Sequence, residues 1–238
     1  MYILAAETST KRGSVALSQD GTLLGEVENL VQKSHSEVLH SFIDQLLRKN
    51  NLKISDIDIF ASSTGPGSFT GLRIAGNAMK TFAFIMNKPM VAIDSLTLLA
   101  AGFPEDGIIT PWINAYKNMV YFARFEKKNG ELKVLEAPSA KRVQDLELHL
   151  DQKSWIVGDG YEVYHQYLSE KLKKNCLRLS TEALASGYDY PKASTLVSLA
   201  FPLAKKDQTI DWKSYKPLYI RASEAEENKS GVIFSSLK

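Results

Sequence analysis

Apolar runs with strand character alternate with apolar positions at helical spacing through the first hundred residues, and the changeovers mark the elements. Residues 2 to 8 and 13 to 19 read as strands, and Asp20-Gly21 is a hairpin signal ahead of a third strand from Thr22 to Val31. The spacing predicts a three-stranded antiparallel meander. Ser34, with Glu37 three residues on, has the form of a capping box, and Val38, Leu39, Phe42, Ile43, Leu46 and Leu47 then follow a helical period to about Asn50. Ile54 to Ser62 reads as a strand, Gly65 to Gly71 as a loop, Leu72 to Met86 as a helix and Met90 to Asp94 as a strand. This βαβ alternation implies parallel pairing.

Phe103-Pro104-Glu105-Asp106-Gly107 breaks the pattern as a linker, after which it begins again. Ile108 to Asn114, Val120 to Phe125 and Leu132 to Glu136 form a second expected meander, with Asn129-Gly130 as a turn. A helix near Val143 to Leu150, a strand at Trp155 to Val157, and helices near Tyr161 to Leu172 and Ala193 to Ala204 complete the reading. The order predicts two similar mixed α/β lobes, residues 1–103 and 104–238, the second ending in a polar tail from about residue 224 where local disorder is expected.

With 238 residues, 44% hydrophobic and 24% charged, the chain has ordinary globular composition and length enough for a substantial core. Its 29 basic against 27 acidic side chains leave a formal charge of +2 and no polybasic arm, so any RNA role is expected to be shared with a partner. The single cysteine, Cys176, excludes an internal disulfide and reads as a structural thiol in a reducing, cytoplasmic setting. The first residues carry no basic stretch, and their apolar run stops at Glu7, unlike a signal or membrane segment.

Three places carry candidate chemistry. Gly65-Pro-Gly-Ser-Phe-Thr-Gly-Leu-Arg73 lies between a strand and a helix, where free amides and the helix dipole suit an anion. A tight connection whose glycines only permit close packing explains the same residues. The loop is not a Walker A sequence, because Leu72 follows Gly71 where lysine is required, and Thr70 spoils a dinucleotide fingerprint even with Asp94 as a ribose-binding acid. Glu7-Thr8-Ser9-Thr10 offers a carboxylate for a hydrated cation and hydroxyls for phosphate, or else a solvated turn. The four histidines, His35, His40, His149 and His165, lack the spacing of a helical zinc site, and Ser68, Thr70 and Cys176 have no evident base. On the helix from Leu72, the residues Leu72, Ala75, Met79, Phe82, Ala83 and Met86 share a face that Ile74, Ala78 and Ile85 widen beyond half the circumference. That surplus, with the stripe on residues 38–47, suggests a partner surface or a helix wedged within its own lobe.

On these motifs the chain resembles the TsaB (YeaZ) family of bacterial tRNA threonylcarbamoyladenosine biosynthesis proteins. The opening Ile3 to Thr10, His35-Ser36-Glu37 and Gly65 to Arg73 carry the likeness, with weaker echoes at Pro89 to Leu96, Val157 to Gly160 and Pro217 to Arg221. The resemblance implies a two-lobed actin/Hsp70/sugar-kinase-like (ribonuclease H-like) α/β fold. It implies a non-catalytic, cytoplasmic partner of a TsaD-like catalytic subunit and a TsaE-like ATPase, which together form N6-threonylcarbamoyladenosine at position 37 of tRNAs reading codons that begin with A. It also implies a homodimer when the chain is alone, and contact with tRNA only through the complex. Nucleotide- or anion-binding candidates are then Glu7, Thr8, Gly65, Gly67, Ser68, Thr70 and Gly71; partner-surface candidates are His35, Leu39, Phe42, Ile43, Leu46, Leu72, Arg73, Ala75 and Met79. No metal and no resident cofactor is implied, with weak ATP or ADP shared at the partner interface left open. Glu7 stands where the family has Asp, and Asn114-Ala115-Tyr116-Lys117-Asn118-Met119-Val120-Tyr121 replaces its Asp-Ala-Arg-x-Gly-Glu-Val-Tyr, losing a carboxylate and a glycine. Those losses argue against the alternative, an autonomous nucleotide-dependent phosphotransferase or ATPase.

Overall fold

A computed structural model describes residues 1–29 and 34–221. Among the described residues ten strands and seven α-helices follow in chain order: β1 Tyr2–Glu7, β2 Ser14–Gln19, β3 Thr22–Glu28, α1 His35–Lys49, β4 Ile59–Ser63, α2 Phe69–Met86, β5 Met90–Ile93 and α3 Ser95–Gly102. Then come β6 Gly107–Asn114, β7 Met119–Lys128, β8 Glu131–Arg142, β9 Ser154–Val157, α4 Asp159–Tyr164, α5 Glu170–Asn175, β10 Cys176–Leu177, α6 Thr181–Ala185 and α7 Ala193–Lys205. The expected end of the third strand beyond Asn29 and the polar tail from residue 224 lie outside the described residues.

The chain divides into two compact units, residues 1–98 with 191–218, and residues 99–190 with 219–221. A single cut after residue 103 is therefore a correction: residues 191–218 return to the first unit, because α7 covers a sheet face that the first hundred residues leave bare. The first sheet has the order β3-β2-β1-β4-β5, with β1 antiparallel to β2 and parallel to β4. The second has the matching order β8-β7-β6-β9-β10, again a meander followed by two parallel strands. This repeated meander-plus-parallel topology is the ribonuclease H-like arrangement of the actin/Hsp70/sugar-kinase class.

β1 is apolar without alternation because both of its faces are covered. Leu4 and Ala6 point with Val15, Leu17 and Phe60 into a core under α1 and α2, where Leu39, Ile43, Leu46, Ala75, Met79 and Ala83 pack. Ile3 and Ala5 point the other way, with Ala16, Ile59, Ala61 and Val91, onto Ala193, Leu196, Val197 and Ala200 of α7. Both hairpin signals form as read: Asp20-Gly21 and Asn129-Gly130 have φ of 51° and 84°, and 52° and 81°, the left-handed pair of a two-residue turn.

Other local expectations shift. Ser34 occupies the N-cap position of α1 without capping it, since its hydroxyl is engaged by Ser36 Oγ at 2.6 Å, so the capping box does not form. Residues 54–56 make a 3-10 turn before β4. α2 begins at Phe69, three residues earlier than its apolar spacing indicates, because Ser68 Oγ accepts from Gly71 N at 3.2 Å and starts the helix there. In the second unit the expected helix at 143–150 is a 3-10 segment, Val143–Leu148, and the one at 161–172 is split into α4, a 3-10 turn and α5, with a fresh N-cap at Ser169.

Candidate functional site

The end of β1 and the glycine loop form one locked joint. Gly67 and Gly71 are there because backbone meets backbone: a Cβ on Gly67 would lie 2.2 Å from the Ser9 carbonyl oxygen, and one on Gly71 would lie 1.8 Å from that of Thr8. Ser68 N donates to Ser9 O at 2.7 Å, and Thr8 Oγ1 donates to Gly71 O at 2.6 Å. Gly65 turns with φ of 99°, and its carbonyl accepts from Ser95 N at 2.8 Å, tying the loop to the start of α3. Of the amides an anion would use, those of Ser68 and Gly71 are already bonded within the chain. Close packing thus accounts for these glycines. Thr70 stands apart from the joint, exposed on α2.

Glu7 sits beneath this joint with no exposed surface. One carboxylate oxygen accepts from Ser9 N at 2.5 Å, while Oε2, with Ser9 Oγ and Ser63 Oγ nearby, has no hydrogen-bond partner. Burial pushes its pKa up, against the pull of Ser63, Ser9 and the His35 ring. A dry, proton-favouring carboxyl does not suit the role of ligand to a hydrated cation. His35 is half-buried beside it, with Nε2 2.8 Å from Thr10 O. Asp94, the conceivable ribose acid, accepts instead from Thr97 N at 2.9 Å and Thr97 Oγ1 at 2.5 Å, and so caps α3.

In the second unit, Tyr116, Lys117 and Asn118 all adopt positive φ, a left-handed turn of which Asn118 is the residue that tolerates this region most readily. Asn114 Oδ1 accepts from Tyr116 N at 2.8 Å and Tyr164 Oη at 3.1 Å, and Asp159 accepts from Asn114 N at 2.9 Å. Burial pushes the Cys176 thiol up to about 11, which removes it as a nucleophile at neutral pH. Among the described residues no three His, Cys, Asp or Glu side chains are grouped as a metal site. Nor is any helix among them long and apolar enough to cross a membrane.

The accessible feature of the first unit is an open groove of about 580 Å³ along α1 and α2. Ile74, Ala78 and Phe82 supply its apolar lining, and Ser36, His40, Thr70, Arg73, Asn77 and Thr81 its polar one. This corrects most of the expected partner surface. Leu39, Ile43, Leu46, Leu72, Ala75 and Met79 are at most 4% exposed and belong to the unit's own interior, since their face of each helix is the one laid on the sheet. Phe42 is half-buried against that core, and His35 is turned to Thr10. Only Arg73 of the expected set lines the groove. The residues missed had a signal, because Ile74 and Ala78 are the surplus apolar positions that widen the α2 stripe beyond what one sheet can cover.

Fold and site together define a two-unit protein of the actin/Hsp70/sugar-kinase class with a buried acid and a helix-lined groove. Residues 14–229 match the family described as TsaD, tRNA N6-adenosine threonylcarbamoyltransferase. The tRNA threonylcarbamoyladenosine biosynthesis protein TsaB of Bacillus subtilis is 30% identical over 95% of this chain and 96% of its own length, and that of Escherichia coli is 26% identical over 97% and 99%. A tRNA N6-adenosine threonylcarbamoyltransferase of Kosmotoga olearia is 32% identical, over 40% of this chain and 34% of its own. The structure of YeaZ from Pseudomonas aeruginosa superposes with a TM-score of 0.78 at 24% identity, over 92% of this chain and 99% of that one. The chain belongs to the TsaB branch of this family, the tRNA threonylcarbamoyladenosine biosynthesis proteins.

Proposed function

We propose that the chain is a non-catalytic subunit that docks a TsaD-type catalytic subunit through the α1–α2 groove. It would support that subunit, together with a TsaE-type ATPase, in forming N6-threonylcarbamoyladenosine at position 37 of tRNAs reading codons that begin with A. The observation that carries this reading is the groove: Ile74, Ala78 and Phe82 line an open channel, and apolar surface of that kind is normally covered by a partner. The buried Glu7, held by Ser9 N, and the locked glycine loop support a role without independent chemistry and without a resident nucleotide. In this reading the protein acts in the cytoplasm, pairs with itself through the same groove when alone, and its contribution is shape.

Size-exclusion chromatography with light scattering tests it, using the full chain mixed with the TsaD-type protein of the same genome. Co-elution at one-to-one mass is the expected result. Separate peaks, with the TsaE-type protein and ATP also supplied, would overturn it, and magnesium-ATP turnover by the purified chain alone would favour an autonomous enzyme.

A further inference from the structure

At the C-terminal end of α2, large apolar side chains stand in solvent: Phe84 is 59% exposed and Ile85 62%. Phe84 rests against Trp212, with ring centroids 4.8 Å apart at an interplanar angle of 60°, so its position is fixed while most of its ring stays wet. Two ammonium groups stand by the same indole, Lys80 Nζ at 5.7 Å and Lys213 Nζ at 5.3 Å from the ring centroid. Neither is paired with a carboxylate among the described residues. Of the carboxylates on the flanking segments, Asp211 accepts from the backbone Lys213 N at 2.8 Å, and Asp58 accepts from Tyr2 N at 2.9 Å and Lys88 Nζ at 3.3 Å.

A held aromatic face beside two cations that are not ion-paired matches a polyanion whose repeating unit carries a π-face, which is single-stranded nucleic acid. A protein partner fits less well, because lysine is depleted from protein interfaces and two ammonium groups covered without an acid are costly. We propose that Phe84 and Trp212, with Lys80 and Lys213, form a stacking site for an unpaired base of RNA, the flanking phosphates being taken by the two lysines. The choice of tRNA as that RNA rests on the function proposed above; the site itself rests on the patch. Neither Phe84 nor Trp212 lines the groove.

The test uses the full chain alone, titrated with an unmodified tRNA transcript and with an oligouridylate, and followed by fluorescence anisotropy and tryptophan emission. Both ligands are expected to bind at about 50 mM salt, where phosphate contacts are strong. Phe84→Ala is expected to weaken binding by about 5- to 150-fold, the usual range for losing one stacked base. Lys80→Gln with Lys213→Gln is expected to lower the slope of log affinity against log salt by about 1.4, roughly 0.7 for each phosphate no longer neutralised. Trp212→Phe should abolish the emission change while most of the affinity stays, and melting curves should be unaltered throughout. No binding by the unmodified chain, or variants that bind as it does, would overturn the proposal. So would variants that lose pairing with the TsaD-type protein but keep their RNA affinity, which would make the patch a protein contact. Failure of the docking reading shows separately, as unpaired elution of the unmodified chain whatever the RNA result.

Discussion

Met79 and Ala78 are adjacent on α2 and face opposite fates, so a pair of substitutions separates the interior of the first unit from its docking surface. Met79 is fully buried among Leu4, Leu39, Phe60 and Ala83, with no route for solvent to fill the space it leaves. Met79→Ala removes transfer energy and opens a cavity, which together cost about 2–5 kcal/mol. At about 2–4 °C per kcal/mol for a chain of this size, the melting temperature should fall by roughly 4–20 °C. Ala78 is half-buried on the groove wall at the margin of the core, and Ala78→Glu removes no interior side chain, so its cost, about 1 kcal/mol, should stay well below that of Met79→Ala. A carboxylate there faces the apolar side of any occupant and should abolish co-elution with the TsaD-type protein. Circular dichroism melts and light scattering on the same samples read both quantities. The reasoning is refuted if Met79→Ala melts like the unmodified chain, or if Ala78→Glu still pairs at one-to-one mass.

Three further outcomes follow from the first site and the lone thiol. Because burial raises the Glu7 pKa above 4.5, the folded state holds a proton that the unfolded state releases. This carboxyl therefore costs stability as pH rises from about 4.5 towards its folded value, so Glu7→Gln should stabilise increasingly over that interval, by at most about 1.4 kcal/mol per pH unit; melts showing a pH-independent difference would contradict it. Gly71→Ala should prevent folding or lower the melt severely, since the added carbon would overlap the Thr8 carbonyl, whereas Gly130→Ala, with open space around it and φ of 81°, should cost only about 1–2 kcal/mol. Cys176 should resist a thiol reagent at pH 8 in the folded protein and react on unfolding, because its pKa is near 11; rapid labelling of the folded chain would show that the thiol is not desolvated.

Much of the fold is legible in the sequence where one local rule decides it. The two left-handed hairpin turns need Asp20-Gly21 and Asn129-Gly130, and the unbroken apolar run of β1 needs two covered faces, so the pattern and the structure agree. What failed is what long-range packing decides. α3 is too short for its period to show, and it is started by Asp94 acting as a cap where the sequence also allows a ribose ligand. α7 looks like a helix of the second lobe until its apolar stripe is seen on Ile3 and Ala16. The site was half legible for the same reason: the glycine motif marks the joint, but whether its amides meet an anion or Ser9 and Thr8 depends on a strand some sixty residues earlier. Helical spacing identified the apolar faces of α1 and α2 without saying which side lies on the sheet, so it nominated interior residues for the surface.

The return of residues 191–218 to the first unit has a consequence for how the chain is made. Ile3, Ala5, Ala16, Ile59 and Val91 are translated early, but the helix that covers them ends at Lys205. At the usual 5–20 residues per second, that sheet face waits on the order of ten seconds on the ribosome, uncovered by its own chain. The intervening unit can form meanwhile, because its strands are contiguous in sequence. A nascent chain ending before Pro191 would therefore contain every strand of the second sheet beside a half-dressed first unit, the species a chaperone would hold.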